Sequence, residues 1–151
     1  MSPDISCNSI LLVEDNPVDV DLTLRALAKR KLTNPVTVVR DGAAALDWIP
    51  RWESGELWPS LILLDLKLPK VNGLEVLRQF KTHSKLRAIP VVVLTTSNED
   101  LDIHAAYQLG ANSYIVKPMD FDKFIEVAAQ IELYWCVLNT SLPLPLKGGR
   151  G

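Results

Sequence analysis

The chain has only two cysteines, Cys7 and Cys136, far apart and with no second thiol near either. That excludes a disulfide framework and a CxxC zinc site, and two free thiols suit a reducing cytosol. Its two histidines, His83 and His104, have no metal-ligand spacing to each other or to a cysteine, so both are read as structural. Neither sign of charge dominates: sixteen Lys and Arg stand against eighteen Asp and Glu, a net charge of -2. This argues against a nucleic-acid binder built on a basic patch. No apolar run approaches the length of a bilayer span. The N-terminal MSPDISCNSI is too polar for a signal peptide and lacks a basic start. The expectation is a soluble cytoplasmic protein with neither a nucleic-acid nor a membrane partner.

What is present suits one ordinary domain. The chain has 151 residues, 48% of them hydrophobic and 23% charged, enough to bury a core without a covalent staple. Three runs are apolar at every position: Ile10–Val13, Leu61–Leu64 and Val91–Leu94. Unbroken apolar runs suit inner strands of a parallel sheet covered on both faces. Val36–Val39 and Tyr114–Val116 read as weaker strands. Helices are expected over about 17–31, 41–52, 73–82, 98–109 and 120–138. Pro17 suits a first helical turn, Gly110 a helix end and Asp120 an N-cap. The stretch PRWESGELWP, residues 50–59, reads as a long connection whose Trp52 and Trp58 are packing residues.

Strand and helix alternate five times. The predicted fold is therefore α/β, a doubly wound, five-stranded parallel sheet with five helices, and the flavodoxin-like order 2-1-3-4-5 is the one taken for it. In such sheets ligands bind beyond the carboxyl ends of the strands, where the strand order reverses. Those ends carry Glu14-Asp15, Arg40-Asp41, Asp65, Thr95-Thr96-Ser97 and Lys117-Pro118. The order makes strands one and three neighbours, so Glu14, Asp15 and Asp65 converge. Three close carboxylates repel unless a cation joins them, and hard oxygen ligands suit Mg²⁺. Thr95 and Lys117 would complete a cage for a tetrahedral dianion, the environment phosphoryl transfer needs. Each piece alone is weak, since an acidic pair after a strand is more often a helix cap; their joint occurrence carries the reading.

The stretches ILLVEDNPVDVDL, LILLDLKLPKVNGLEVL, IPVVVLTTS and LGANSYIVKP give the chain a clear likeness. It resembles the CheY-like receiver domain of two-component response regulators over about residues 9–138. PRWESGELWP, DLKLP and IELYWCVLNTSLP narrow the resemblance to single-domain regulators paired with cyanobacterial phytochrome histidine kinases. The resemblance implies that Asp65 is the phosphoacceptor and the modified residue. Glu14, Asp15 and Asp65 would hold Mg²⁺ together with the main-chain carbonyl of Lys67. Thr95 and Lys117 would contact the phosphoryl oxygens, and Thr95 and Tyr114 would form the switch. The Lys117–Pro118 bond is expected to be cis. The Lys67 side chain either pairs with a phosphoryl oxygen or points to solvent.

The domain is expected over residues 8–139, followed by a tail, 140–151, with no output domain. The reading is a non-enzymatic switch that accepts phosphate from a sensor histidine kinase and signals by protein contacts. The alternative is a Mg²⁺-dependent phosphohydrolase with an aspartyl nucleophile. Such enzymes usually carry a second Asp two residues on, where this chain has Lys67. An FMN module fits less well, because the acidic Glu14-Asp15 would repel its phosphate. The first helix carries two stripes, Val20/Leu24/Leu27 and Val18/Leu22/Arg25, and periodicity does not say which faces the sheet; the resemblance favours Val18 and Leu22 for kinase docking. The last helix has a core stripe of Phe124, Ala128, Ile131, Trp135 and Leu138, with a second apolar side at Val127 and Tyr134. Either the tail, with Leu142, Leu144 and Leu146, folds back over this excess, or it is an interaction surface; the family likeness favours a homodimer through this helix.

Overall fold

The computed structural model describes residues 9–31, 34–117 and 120–141, with side chains as far as Ile131 in the last helix. Five strands, β1 (Ile10–Val13), β2 (Val36–Val39), β3 (Leu61–Leu64), β4 (Val91–Thr95) and β5 (Ser113–Val116), form one parallel sheet of order β2-β1-β3-β4-β5. Helices α1 (Pro17–Lys29), α2 (Gly42–Glu53), α3 (Gly73–Thr82), α4 (Asp100–Gln108) and α5 (Phe121–Ser141) alternate with them. The predicted strand order and helix number are those observed.

The three apolar runs are buried at every position because helices cover both sheet faces. Alternation sends Leu11, Val13, Ile62, Leu64, Val91 and Val93 to the face packed by α2, α3 and α4 residues such as Trp52, Phe80 and Ala106. Ile10, Leu12, Leu61, Leu63, Val92 and Leu94 face α1 and α5. Each fully buried aliphatic or aromatic side chain contributes about 1.5–3 kcal/mol. β2 and β5 are the sheet edges and are only partly buried, as their weaker apolar patterns imply.

Local chemistry sets the helix ends. Asn16 caps α1, with Pro17 in its first turn, and Asp41 and Asn72 cap α2 and α3. Asp120 Oδ1 accepts from Lys123 N at the start of α5. Gly110 takes a positive φ just beyond α4. Two departures from the sequence reading are informative. α1 stops at Lys29, two residues early, and Lys31 turns into the left-handed region. Pro50 lies inside α2, so the expected connection begins only at Ser54. A proline costs a helix one main-chain bond. Here Pro50 is exposed in the last turn, Ser54 bonds its carbonyl through both N and Oγ, and Trp52 is driven into the core. Trp52 stacks with Trp58, so both tryptophans are packing residues.

In α1 the sheet takes Val20 and Leu27 and Val18 is 63% exposed, while Leu22 and Leu24, one from each expected stripe, are both half-buried against the same core. In α5, Phe124, Ala128 and Ile131 are buried as expected. Val127 corrects the expectation of a second apolar side: it lies in the same core. Spaced three residues from Phe124 and four from Ile131, it belongs to one wide stripe packed against both sheet and α1. The Lys117–Pro118 bond, the two cysteines, the side chains of Tyr134, Trp135 and Leu138, and the tail lie outside the described residues. No helix among the described residues is long and apolar enough to cross a membrane.

Candidate functional site

Sheet register alone aligns the candidate residues. Val13 pairs with Leu64, and Thr95 with Val116. The ladder then runs one residue further: Glu14 N donates to Val39 O, Asp65 N to Val13 O, and Lys117 N to Thr95 O. The backbones of Glu14, Asp65 and Lys117 are thereby held at the carboxyl rim. The loop after β3 is seated by glycines. A Cβ on Gly73 would lie 2.3 Å from the carbonyl oxygen of Asp65, and one on Gly42 would lie 1.8 Å from that of Val71. Both positions need glycine for this close approach of backbone to backbone.

Asp65 lies at the centre, 5% exposed. Its Oδ1 accepts from Thr95 Oγ1 at 2.7 Å and from Lys67 N at 3.1 Å, and its Oδ2 accepts from Lys117 Nζ at 3.1 Å. Lys117 Nζ also lies 2.5 Å from Glu14 Oε1 and 2.8 Å from Asp19 Oδ2. Glu14, Asp15 and Asp65 each offer a carboxylate oxygen, all within 4.8 Å of one another; Glu14 and Asp65 are buried and Asp15 is exposed. One buried ammonium facing this many carboxylates leaves excess negative charge. An all-oxygen donor set of that kind fits a hard divalent cation.

The charges feel this crowding. Burial pushes the Glu14 carboxyl up to about 7; the bond from Lys117 works against the rise and the neighbouring Asp65 charge adds to it. Burial would lower the Lys117 amine, but its bonds to Asp19 and Glu14, with the charge of Asp65, more than reverse this and hold it above the ordinary lysine range.

The predicted residues Glu14, Asp15, Asp65, Thr95 and Lys117 thus come together. The main chain of Lys67 joins them, while its side chain is exposed. Tyr114 is set back: its hydroxyl donates to Ser97 O at 2.9 Å, and it packs against the α2–α4 core. Ser97 ties Tyr114 to the loop after β4, with its N–H directed at Thr95 Oγ1 (3.5 Å) and its Oγ bonded to Asp102. His83 and His104 lie elsewhere, His83 accepting at Nδ1 from Lys85 N and Leu86 N beyond α3. Sequence reading missed Asp19. Its signal was its place in the first turn of α1, directly after the acidic end of β1, which sets its side chain near the same rim.

Comparison with known proteins agrees with this geometry. The protein named "Probable methanogenesis regulatory protein FilR2" from Methanothrix harundinacea is 47% identical over 133 residues, covering 87% of this chain and 86% of that protein. The crystal structure of the phosphorylated cyanobacterial phytochrome response regulator RcpA is 40% identical, with a TM-score of 0.79, covering 85% of this chain and 94% of that one. The Mn²⁺-bound form of response regulator Rcp1, a protein of Synechocystis sp., is 38% identical, with a TM-score of 0.77 and the same coverage. The family described as response regulator receiver domain matches residues 10–129, most of the chain and every residue of the rim, and it is to this family that the chain belongs.

Proposed function

We propose that the protein is a single-domain response regulator that takes a phosphoryl group from a partner histidine kinase onto Asp65. The observation that carries this is the set of bonds around Asp65. Both carboxylate oxygens are held by Thr95, Lys67 N and Lys117, beside the acidic oxygens of Glu14 and Asp15. One Asp65 oxygen attacks the phosphorus of a phosphohistidine. The new O–P bond forms as the N–P bond breaks, and the imidazole leaves with the electron pair. Glu14, Asp15, Asp65 and the Lys67 carbonyl would hold Mg²⁺, which supplies positive charge to the transferring oxygens. Thr95 Oγ1 and Lys117 Nζ then turn from the carboxylate to the phosphoryl oxygens.

Movement of Thr95 reaches Tyr114 through Ser97, which lies between them. Signal output is by protein contact in the cytoplasm, from a receiver spanning residues 8–139. The resemblance to RcpA and Rcp1 favours a phytochrome-type kinase, with Val18 and Leu22 as docking residues on α1. The phosphohydrolase alternative is disfavoured by Lys67, which stands where an acid/base carboxylate would be needed. Incubation with acetyl phosphate and Mg²⁺ should give one hydroxylamine-labile phosphate per chain, with amide shifts across residues 95–125. Continuous turnover of phosphate esters, or an unchanged spectrum in a labelled protein, would overturn the reading.

The same proposal includes a homodimer through α5. Its support is the 21-residue length of that helix and the unbroken apolar run Leu133–Leu138 in its sequence. Sedimentation at micromolar concentration should give about twice the monomer mass, lowered by Tyr134→Glu. A wild-type protein that stays monomeric with and without phosphorylation would refute it.

A further inference from the structure

We propose that Asp19 is a positioning residue that anchors Lys117 while the lysine's other partners change. The proposal rests on the reading of Asp65 as phosphoacceptor. The three protons of the Lys117 ammonium face three carboxylates: Glu14, Asp19 and Asp65. Glu14 and Asp65 also belong to the group whose oxygens converge within 4.8 Å, and Asp19 does not. When a cation and a phosphoryl group engage that pair, Asp19 is the lysine acceptor that keeps its place.

The backbone of Asp19 is prepared for this. Asn16 accepts from its N–H, and Thr23 Oγ1 donates to its carbonyl at 2.7 Å. The adjoining Val20 and Thr23 are buried, which holds this turn of α1 against the sheet. Helix capping belongs to Asn16, so the Asp19 carboxylate is free to serve Lys117. A lysine stem carries large rotamer entropy, and a fixed anchor pre-organises its charge at the point where negative charge arrives. The opposite effect is also physical. A further carboxylate near the site repels an incoming anion, and if repulsion dominated, removing Asp19 would tighten anion binding. The two effects have opposite signs.

The test measures beryllofluoride binding with Mg²⁺ by fluorine NMR, and Mn²⁺ binding alone by electron paramagnetic resonance. Asp19→Ala should weaken beryllofluoride about tenfold, the loss of one charge-assisted bond, with the near-isosteric Asp19→Asn in between. Mn²⁺ affinity should stay within about twofold, because Asp19 is outside the convergent group. Loss of fold would lower both affinities together, so the split separates positioning from structure. In a Lys117→Ala background, adding Asp19→Ala should slow acetyl phosphate labelling by no more than about twofold. Unchanged or tighter beryllofluoride binding in Asp19→Ala, or a full effect without Lys117, would overturn the proposal. A wild-type protein that does not bind beryllofluoride would instead overturn the assignment of Asp65.

Discussion

Replacing Asp65 by asparagine should abolish labelling by acetyl phosphate or a kinase, a fall of at least about a thousandfold, while the protein stays folded. An amide has no anionic oxygen with which to attack phosphorus. The fold should tolerate the change because most of the surrounding bonds survive. An asparagine oxygen can still accept from Thr95 Oγ1 and Lys67 N, and Lys117 keeps Glu14 and Asp19. Losing one of several crowded charges also relieves Glu14, whose carboxyl is raised in part by Asp65. A thermal melt close to that of wild type, with no base-labile phosphate, is the expected pair of results. Full labelling of this variant at another residue would refute the assignment.

Chelating divalent cations should be nearly as damaging, slowing labelling by about two orders of magnitude or more. Without a cation, Glu14, Asp15 and Asp65 present their charge directly to the incoming phosphoryl group. Asp15→Ala should reproduce much of this loss at little cost to folding, because Asp15 is exposed. The pH dependence follows from Glu14. Its carboxyl is raised from 4.5 to about 7, so near neutrality a proton must leave before it can ligate a cation. Mn²⁺ affinity should therefore fall as pH drops through about 7, by at most about tenfold per pH unit. Stability of the cation-free protein should run the other way. A carboxyl raised in the folded state contributes stability that is present below its unfolded value of 4.5 and lost as pH rises through about 7. Melting in chelator from pH 5 to 8 should show that decline, and added Mg²⁺ should flatten it. Undiminished phosphotransfer in excess chelator would remove the cation from the mechanism.

Much of this was legible in the chain itself. Ile10–Val13, Leu61–Leu64 and Val91–Leu94 suit covered strands, because a run with no polar face has none to offer water. Strict alternation with helices then allowed only a parallel, right-handed sheet. Chemistry-bearing residues directly after those strands had to share one rim, since parallel strands end on the same side. That is why Glu14, Asp15, Asp65, Thr95 and Lys117 could be placed on one rim from the sequence.

The tertiary structure decided matters that depend on a neighbour distant in sequence. Asp19 reaches a lysine 98 positions away, and spacing within α1 carries no trace of that partner. Periodicity showed two stripes on α1, but only contact with the sheet and α5 selected Val20 over Val18. Val127 looked like an excess apolar side until α1 was found packed beside α5, widening the stripe that one sheet face would need. Pro50 opens the stretch that reads as a connection, yet the helix runs past it to Glu53 with Trp52 buried. In each case local pattern reports what a residue prefers, and long-range packing determines which competing preference is satisfied. Burial free energy is shared among segments that meet only in the folded chain.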